Sequence, residues 1–421
     1  MMKIRLSIIL LFFFGWQAWS SDLTGRIGLR WYGIQSDAAQ NRSLSAPGLY
    51  VRLGVAELLD TPSHFYVYMR GERNRYYNEI SKVRVYSLKL SLQPFAGRVH
   101  MDVGRLNSRW LGAYGLLDGG SLTLDVNKHI SVGAFSGHTP VLSSFRTDQK
   151  TQRYGVYSSV RVKGVYSGGL SFITQHYLGK LDRQFLLFNN LLTLDEHFSF
   201  YQFAEVDLRT LSPAGGSQSA LRLTNLFARL QYRANHRFSA YVTVDSRKDV
   251  VYLQTNRSLP DSLFEANVDK RFTIGARWRP VLPWLVHASY KIGTSTRSND
   301  AHTFFNFMIS NYDLFGSGLY AEMNLSWNSS NYLQSSNRYI MLQYPLKRWL
   351  RLTADWMTNE LQYVYNPQVY DENFYGIGVY LLLNKRASLQ ARISRLKSEL
   401  YSENRIYLEF SYRFLKNRSK P

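Results

Sequence analysis

The sequence predicts an all-β fold, a transmembrane antiparallel up-and-down β-barrel of about 22 strands, with about 18 to 22 strands compatible with the pattern. Three observations predict this fold class. The N-terminus carries an export signal, apolar and polar residues alternate along most of the chain, and the connections between the alternating segments are short and long in turn. A barrel of this kind pairs its first strand with its last and leaves no open sheet edge.

The N-terminus reads MMKIRLSIILLFFFGWQAWSSD, in which two cationic residues precede an apolar run that ends near Trp16. Ala18 and Ser20 follow at the spacing that signal peptidase prefers. The alternative, an N-terminal membrane anchor, needs roughly 20 apolar residues, and this run is shorter. We therefore expect a signal peptide at residues 1–20 and a single barrel domain over residues 21–421.

No later window of the sequence approaches a membrane-spanning helix in length and apolarity; even FLLFNNLLTL (185–194) is interrupted by two asparagines. An exported chain is then either soluble outside the cytoplasm or enters a membrane as strands. The absence of cysteine fits an oxidising compartment and does not choose between the two. Aromatic residues make up 15% of the chain, which favours contact with a membrane interface.

The excess of 51 Lys and Arg over 30 Asp and Glu gives a net charge of +21. Such an excess indicates a nucleic acid, an anionic lipid or an anionic solute as partner, and export argues against nucleic acid.

From about residue 22 to residue 414 the chain is a succession of alternating segments, each long enough for a tilted strand to cross a bilayer. The clearest are 22–33, 49–57, 64–72, 97–105, 153–164, 237–247, 270–280, 318–328, 349–359 and 373–384. Short turns are expected at 93–97, 126–129, 162–164, 233–237, 279–284, 344–349 and 383–387, and long polar connections at 33–48, 136–152, 210–219, 246–269 and 328–337. This asymmetry is typical of short periplasmic turns and longer extracellular loops.

The cost of an arginine in lipid decides which face of each strand is inside. In RFTIGARWR (271–279) the arginines alternate with Phe272, Ile274, Ala276 and Trp278. Because a lipid-facing arginine costs roughly 2 to 4 kcal/mol near the bilayer midplane, the arginines are expected to face inward. The same reasoning along the chain predicts a polar interior in which arginines outnumber carboxylates. The residues expected to line the lumen and set its selectivity are Arg30, Arg52, Arg70, Arg98, Arg153, Arg161, Arg277, Arg351, Asp102, Asp207, Asp245, Glu322, Asp355 and Glu409.

Tryptophans fall near predicted strand ends, as expected for two aromatic girdles at the membrane surfaces. The girdle residues are Trp31, Trp278, Trp284, Trp327 and Trp349. The alternative is that they are core residues of a soluble sheet, which would leave the alternating arginines buried and largely unpaired. If a connection folds into the lumen and narrows it, 106–118 and 246–269 are the candidates.

These features resemble the Gram-negative outer-membrane β-barrel class, and porin-like channels in particular, over residues 22–414. In that class the last strand ends on an aromatic residue that the assembly machinery recognises, and Phe410, Tyr412 and Phe414 match this signal. The chain departs from the class in the residues LKNRSKP that follow Phe414. A narrower likeness to porins of the alginate-export type lies in residues 102–126, through several glycines, Arg105 and Asp118.

The sequence contains no HExxH, GxSxG or P-loop pattern in a supporting context, so neither an enzyme nor a metal site or cofactor is expected. The nine histidines are dispersed, and His129, His197 and His236 lie in or beside predicted turns. Two alternative interpretations are an acid/base cluster at 195–197 and a hydrolase site with His287 and Ser289 on one strand, as in outer-membrane hydrolases.

The resemblance implies a location in the bacterial outer membrane, with lipid, lipopolysaccharide, the barrel-assembly machinery and small solutes as partners. The sequence leaves open whether the protein forms a homo-oligomer. We expect a passive channel whose inward arginines favour anionic solutes. The alternative is a barrel that does not transport and serves as a scaffold or sheath for a periplasmic, secretion or electron-transfer partner.

Overall fold

The computed structural model describes residues 20–37, 43–58, 62–74, 80–94, 97–111, 115–141, 145–211, 217–248, 268–295 and 300–417. These residues form 22 β-strands and one 3-10 turn, η1 (Arg109–Leu111), between β5 and β6. The strands are β1 (Ser20–Ser36), β2 (Ser43–Leu58), β3 (His64–Asn74), β4 (Ile80–Leu92), β5 (Val99–Asn107), β6 (Leu116–Asp125), β7 (Ile130–Pro140), β8 (Thr147–Val162), β9 (Tyr166–Tyr177), β10 (Lys180–Thr193), β11 (Phe198–Leu211), β12 (Ser217–Arg233), β13 (Phe238–Lys248), β14 (Val268–Trp278), β15 (Trp284–Ser295), β16 (Asp300–Leu314), β17 (Leu319–Ser329), β18 (Leu333–Lys347), β19 (Leu350–Tyr363), β20 (Asn366–Leu382), β21 (Ala387–Ser398) and β22 (Ser402–Asn417).

The sheet closes on itself. Each strand pairs antiparallel with its neighbours in sequence, and β1 also pairs with β22, with Arg30 opposite Glu409 and Ile27 opposite Tyr412. Closure gives each strand a hydrogen-bonding neighbour on both sides, so no strand edge stays open. The predicted all-β, up-and-down barrel of about 22 strands is confirmed.

The connections at the two ends of the barrel differ. The end at which β1 begins and β22 ends, named here the short-turn end, carries the turns 126–129, 234–237 and 383–386 close to where they were predicted. At the opposite end the hairpins extend further than expected: β7 reaches Pro140 and β8 starts at Thr147, inside the predicted connection 136–152. Beyond a membrane both faces of a hairpin meet water, so the apolar alternation that reveals a strand disappears there.

The outer face of the barrel is apolar. Ile274, Ile377 and Ile393 are 49%, 70% and 64% exposed, and each alternates along its strand with residues of the opposite face. Ile377 pairs directly with Ile393, so the apolar positions of neighbouring strands form continuous rows. A row of exposed aliphatic side chains is stable where lipid replaces water. Among the described residues, no helix has the length and apolar composition to cross a membrane.

Four of the predicted girdle tryptophans, Trp31, Trp278, Trp284 and Trp327, have the outward phase of their strands, and Trp349 lies in the turn before β19. Trp278 ends β14 and is 51% exposed, and Trp349 precedes β19 and is 50% exposed. Near the opposite end the Trp327 ring lies 5.5 Å from the ring of Phe305, and Trp31 Nε1 donates a hydrogen bond to Ser45 Oγ at 3.0 Å. Trp284 is the first residue of β15. Their role at the membrane surface stays a prediction.

The closing strand β22 continues past its expected last aromatic residue. Phe410 and Tyr412 lie on the outer face, 38% and 37% exposed, and Phe414 pairs with Gly25. The backbone then pairs for three more residues, through Asn417 opposite Asp22. Part of the tail that departs from the class is therefore strand, and the assembly signal itself stays a prediction. The signal peptide lies outside the described residues, apart from Ser20.

The assignment of faces predicts different costs for one arginine on each side of the wall. Ile274→Arg places a guanidinium on the outer face near the middle of β14, and we expect a loss of about 2 to 4 kcal/mol in the free energy of unfolding. Ser289→Arg, on the inner face of the neighbouring strand, serves as control and should change it by less than about 1 kcal/mol. Urea titration in lipid vesicles, followed by tryptophan fluorescence, measures both. Equal losses would contradict the assignment.

Candidate functional site

The connection between β5 and β6 folds onto the inner wall of the barrel. Its η1 turn brings Leu111 against Phe135, Ile173 and Phe185 of β7, β9 and β10, and Leu111 is only 2% exposed. Leu106, Leu117 and Leu187 complete this group, named here the lumen cluster. The described part of the predicted constricting connection 106–118 thus lies inside the barrel. The other candidate, 246–269, lies mostly outside the described residues.

The lumen cluster corrects one expectation about the wall. The interior was expected to be polar, yet the inner positions of β7, β9 and β10 carry Phe135, Ile173, Phe185 and Leu187. These residues are at most 4% exposed, because the inward connection covers them. An apolar patch on the inner wall is stable when another segment removes it from water.

Arg153 fastens the inward connection to the wall. Its guanidinium donates to Gln175 Oε1, from Nη2 at 2.5 Å and from Nε at 3.1 Å, and its Nη1 donates to the carbonyl oxygen of Leu111 at 3.1 Å. Arg153 is 4% exposed, so this predicted selectivity residue contacts protein rather than solute. Charged hydrogen bonds of this kind hold a buried segment in one position.

A second arginine ties two connections together at the end opposite the short turns. Arg105 binds Asp118 through two parallel bonds of 2.5 Å, and its Nη1 donates to the carbonyl oxygens of Val85 and Phe145 at 2.6 and 2.7 Å. Asp118 also accepts a hydrogen bond from Thr147 Oγ1 at 2.6 Å. The pair singled out for its likeness to alginate-export porins is therefore a structural clamp in this chain.

A cavity of about 990 Å³ lies between the inward connection and the inner wall of β5–β8. It opens toward the short-turn end, where Arg98, Lys128 and Arg161 line it. On its other side the rings of Trp110 and Tyr157 stack nearly parallel, with centroids 5.8 Å apart. We name this space the lumen cavity. Its walls combine flat aromatic surface with cationic side chains.

The charges around the lumen cavity are unevenly paired. Lys89 Nζ lies 3.6 Å from Asp102, and His100 Nε2 lies 2.8 Å from Asp125. Within the part of the chain that the structure describes, no carboxylate forms an ion pair with Arg98 or Arg161. Asp125 interacts electrostatically with Arg161 without forming an ion pair, so the charge of Arg161 is offset only in part.

Most other predicted lumen charges contact a partner on the same wall. Arg30 and Arg70 both bind Glu72, the latter at 2.5 Å, and Glu409 accepts bonds from Arg26 at 3.1 Å and from Tyr50 at 2.9 Å. The remaining contacts are Asp355 with Arg392 at 2.6 Å, Asp245 with Arg247 at 3.1 Å, Glu322 with Tyr320, Arg52 over the Tyr66 ring and Arg351 over the Tyr380 ring.

Asp207 belongs to a buried network that sequence reasoning missed. Arg183 donates to Asp207 Oδ1 at 2.6 and 2.8 Å, to Glu205 Oε2 at 3.1 Å and to Thr224 Oγ1 at 3.0 Å. The Asp207 side chain is fully buried. Arg183 is on the inner face of β10, together with apolar residues. Because the outer face of β10 is also apolar, the alternation of apolar and polar residues could not predict the inward position of Arg183.

The histidines and the acidic cluster singled out from the sequence take part in local contacts. No group of three histidines or carboxylates among the described residues is placed to hold a metal ion. His287 Nε2 lies 3.5 Å from Tyr241 Oη, with the two rings stacked. In the turn 194–197, backbone N–H groups of Phe198 and His197 donate to Asp195 Oδ1 and hold the pKa of that carboxyl below its usual range. Asp195 thus stabilises a turn.

No protein-family model and no curated protein matches the chain. Solved structures that resemble it include Occ outer-membrane porins of Pseudomonas and Acinetobacter, which are of the class that the sequence resembles. OccK7 of Pseudomonas aeruginosa is 8% identical with a TM-score of 0.46, over 94% of this chain and 98% of that one. OccK2 of the same organism, solved in complex with glucuronate, is 10% identical with a TM-score of 0.46, over 94% of this chain and 98% of that one. OccAB4 of Acinetobacter baumannii is 8% identical with a TM-score of 0.42, over 94% and 99%. At these values the likeness carries no inference about solute or mechanism.

The buried network predicts a large cost for losing its cation. Arg183→Met leaves the carboxylates of Asp207 and Glu205 buried without this guanidinium, and we expect the free energy of unfolding to fall by about 3 to 5 kcal/mol. Arg247→Met is the matched control, because Arg247 pairs with Asp245 while 63% exposed, and it should cost about 1 kcal/mol or less. Urea titration of both refolded variants measures the difference. Similar small losses would show that the network adds little stability.

Proposed function

We propose that the chain is an outer-membrane channel through which small hydrophilic, anionic solutes diffuse passively, with the short-turn end in the periplasm. Two structural features support a channel. The closed barrel has an apolar outer face, which suits lipid, and an inner face on which charged and polar residues predominate. The inward connection narrows the lumen beside β7–β10 and leaves the lumen cavity next to it.

The observation that carries the anion preference is the pair Arg98 and Arg161 in the lumen cavity. Both line it without an ion-pair partner among the described residues. An uncompensated cation on a low-dielectric wall raises the local concentration of anions and repels cations. The paired arginines, such as Arg30 and Arg70, contribute less, because Glu72 offsets their charge.

Strands β12–β15 carry a second group of inward cations. Arg229 lies over the Tyr241 ring at 4.1 Å, and Arg277 pairs in register with His287. Lys291 lies in register with Thr273 on the same face. An anionic solute in the lumen would therefore meet cations on two separate parts of the inner wall.

The first experiment is a current measurement on the refolded mature protein in a planar bilayer under a salt gradient. Discrete conductance steps with an anion-selective reversal potential are expected. A folded barrel that stays electrically silent would contradict the channel. If a stoichiometric subunit also co-purified with it, the chain would instead be a scaffold or sheath.

Charge reversal in the lumen cavity tests the selectivity. Arg98→Glu with Arg161→Glu should lower the anion-to-cation permeability ratio by about threefold or more, because two cations without an ion-pair partner become anions. Arg348→Glu with Arg386→Glu reverses two exposed turn arginines that do not line the cavity, and should leave the ratio nearly unchanged. An equal effect of both double variants would refute a role of the lumen cavity in selectivity.

A further inference from the structure

Four arginines converge on the inner face at the short-turn end of β12–β14. Arg233 and Arg277 both pair in register with Ser239, so only one small side chain separates them. The register continues into the turns, where the backbone N–H of Arg279 donates to the carbonyl oxygen of Arg237 at 2.7 Å. Arg237 and Arg279 are therefore directly opposite each other. We name these four residues the mouth cluster.

This arrangement is unfavourable for the protein alone. Like charges directly opposite each other on neighbouring strands destabilise the pair. Among the described residues, no carboxylate forms an ion pair with any arginine of the mouth cluster. One nearby carboxylate, Asp195, already accepts hydrogen bonds from two backbone N–H groups of its own turn. The positive charge of the cluster is thus left for a ligand to neutralise.

The mouth cluster lines a concave space with the size and chemistry of a small-anion site. The cavity measures about 620 Å³, and its one acidic lining residue is Glu196. Its neutral lining adds hydrogen-bond donors from Asn235 and Gln231. Arginine presents its N–H groups as a planar fork that matches two oxygens of a carboxylate or phosphate. Several such forks around one space suit an anion that carries more than one charge.

We infer that the mouth cluster is a saturable binding site for a small multivalent oxyanion, of the diphosphate or polycarboxylate kind. This goes beyond the proposed function, because diffusion of anions requires only a positive wall, whereas a site binds one anion stoichiometrically. It also differs from the lumen cavity, which lies on β5–β8. An anion bound here would occupy the periplasmic mouth of the proposed channel.

Calorimetric titration of the folded, detergent-solubilised protein with pyrophosphate tests the site. We expect binding that saturates near one anion per chain and weakens with salt. Arg237→Gln with Arg279→Gln should weaken pyrophosphate binding at least tenfold. Arg233→Gln with Arg277→Gln should have the same effect, so the test remains possible if one of the two double variants fails to fold. Arg348→Gln with Arg386→Gln, at the same end of the barrel, should retain the wild-type affinity. Equal affinity in all folded variants would overturn the inference.

Thermal unfolding gives a second readout that does not depend on conduction. Without anion, Arg237→Gln should raise the unfolding midpoint, because it removes a like-charge pair. Pyrophosphate should raise the midpoint of the wild type more than that of Arg237→Gln with Arg279→Gln, because the wild type binds it more tightly. If the protein bound poly-glutamate but not pyrophosphate, the mouth cluster would be a binding site for an acidic protein, and the inference would be overturned. A barrel that binds pyrophosphate but passes no current would refute the channel alone.

Discussion

Pairing of β1 with β22 is the interaction on which the rest of the structure depends. A strand edge in lipid would leave backbone N–H and C=O groups without partners, at a cost of several kcal/mol for each group. Closure removes that cost and creates an inside and an outside. Once the wall is closed, the alternation along each strand places each side chain on the inner or the outer face. The apolar row through Ile377 and Ile393 and the inward arginines are both consequences of it.

The inner arginines fall into two groups according to their partners. Arg153, Arg105 and Arg183 bind carbonyl or carboxylate oxygens and are at most 8% exposed, so they hold the inward connection and the wall in place. Arg98 and Arg161 line the lumen cavity without an ion pair among the described residues. Residue type and inward phase are the same in both groups. The two groups differ only in whether a carbonyl or carboxylate oxygen lies within hydrogen-bonding distance of the guanidinium.

The positions of strands and faces were predictable where one face is apolar and the other charged. In β14 the alternation of Arg271 and Arg277 with Ile274 was sufficient, and the register agrees with it. In β10 apolar residues occupy both faces, so neither the inward position of Arg183 nor the lumen cluster could be predicted. The hairpin extensions near Pro140 were missed because polar residues cover both faces there. Of the mouth cluster, the sequence showed only that its arginines lie in or beside two predicted turns, and not that they lie close together.

The sequence alone determined the closed β-barrel, its apolar outer face and its inward arginines, because the cost of charge in lipid acts on each strand separately and leaves a period of two. The tertiary structure alone decided which of those arginines have partners. Contacts such as Arg153 with the carbonyl of Leu111, or Arg237 opposite Arg279, join segments whose proximity depends on register and on the path of a connection. These are properties of the assembled wall, and no single strand carries them.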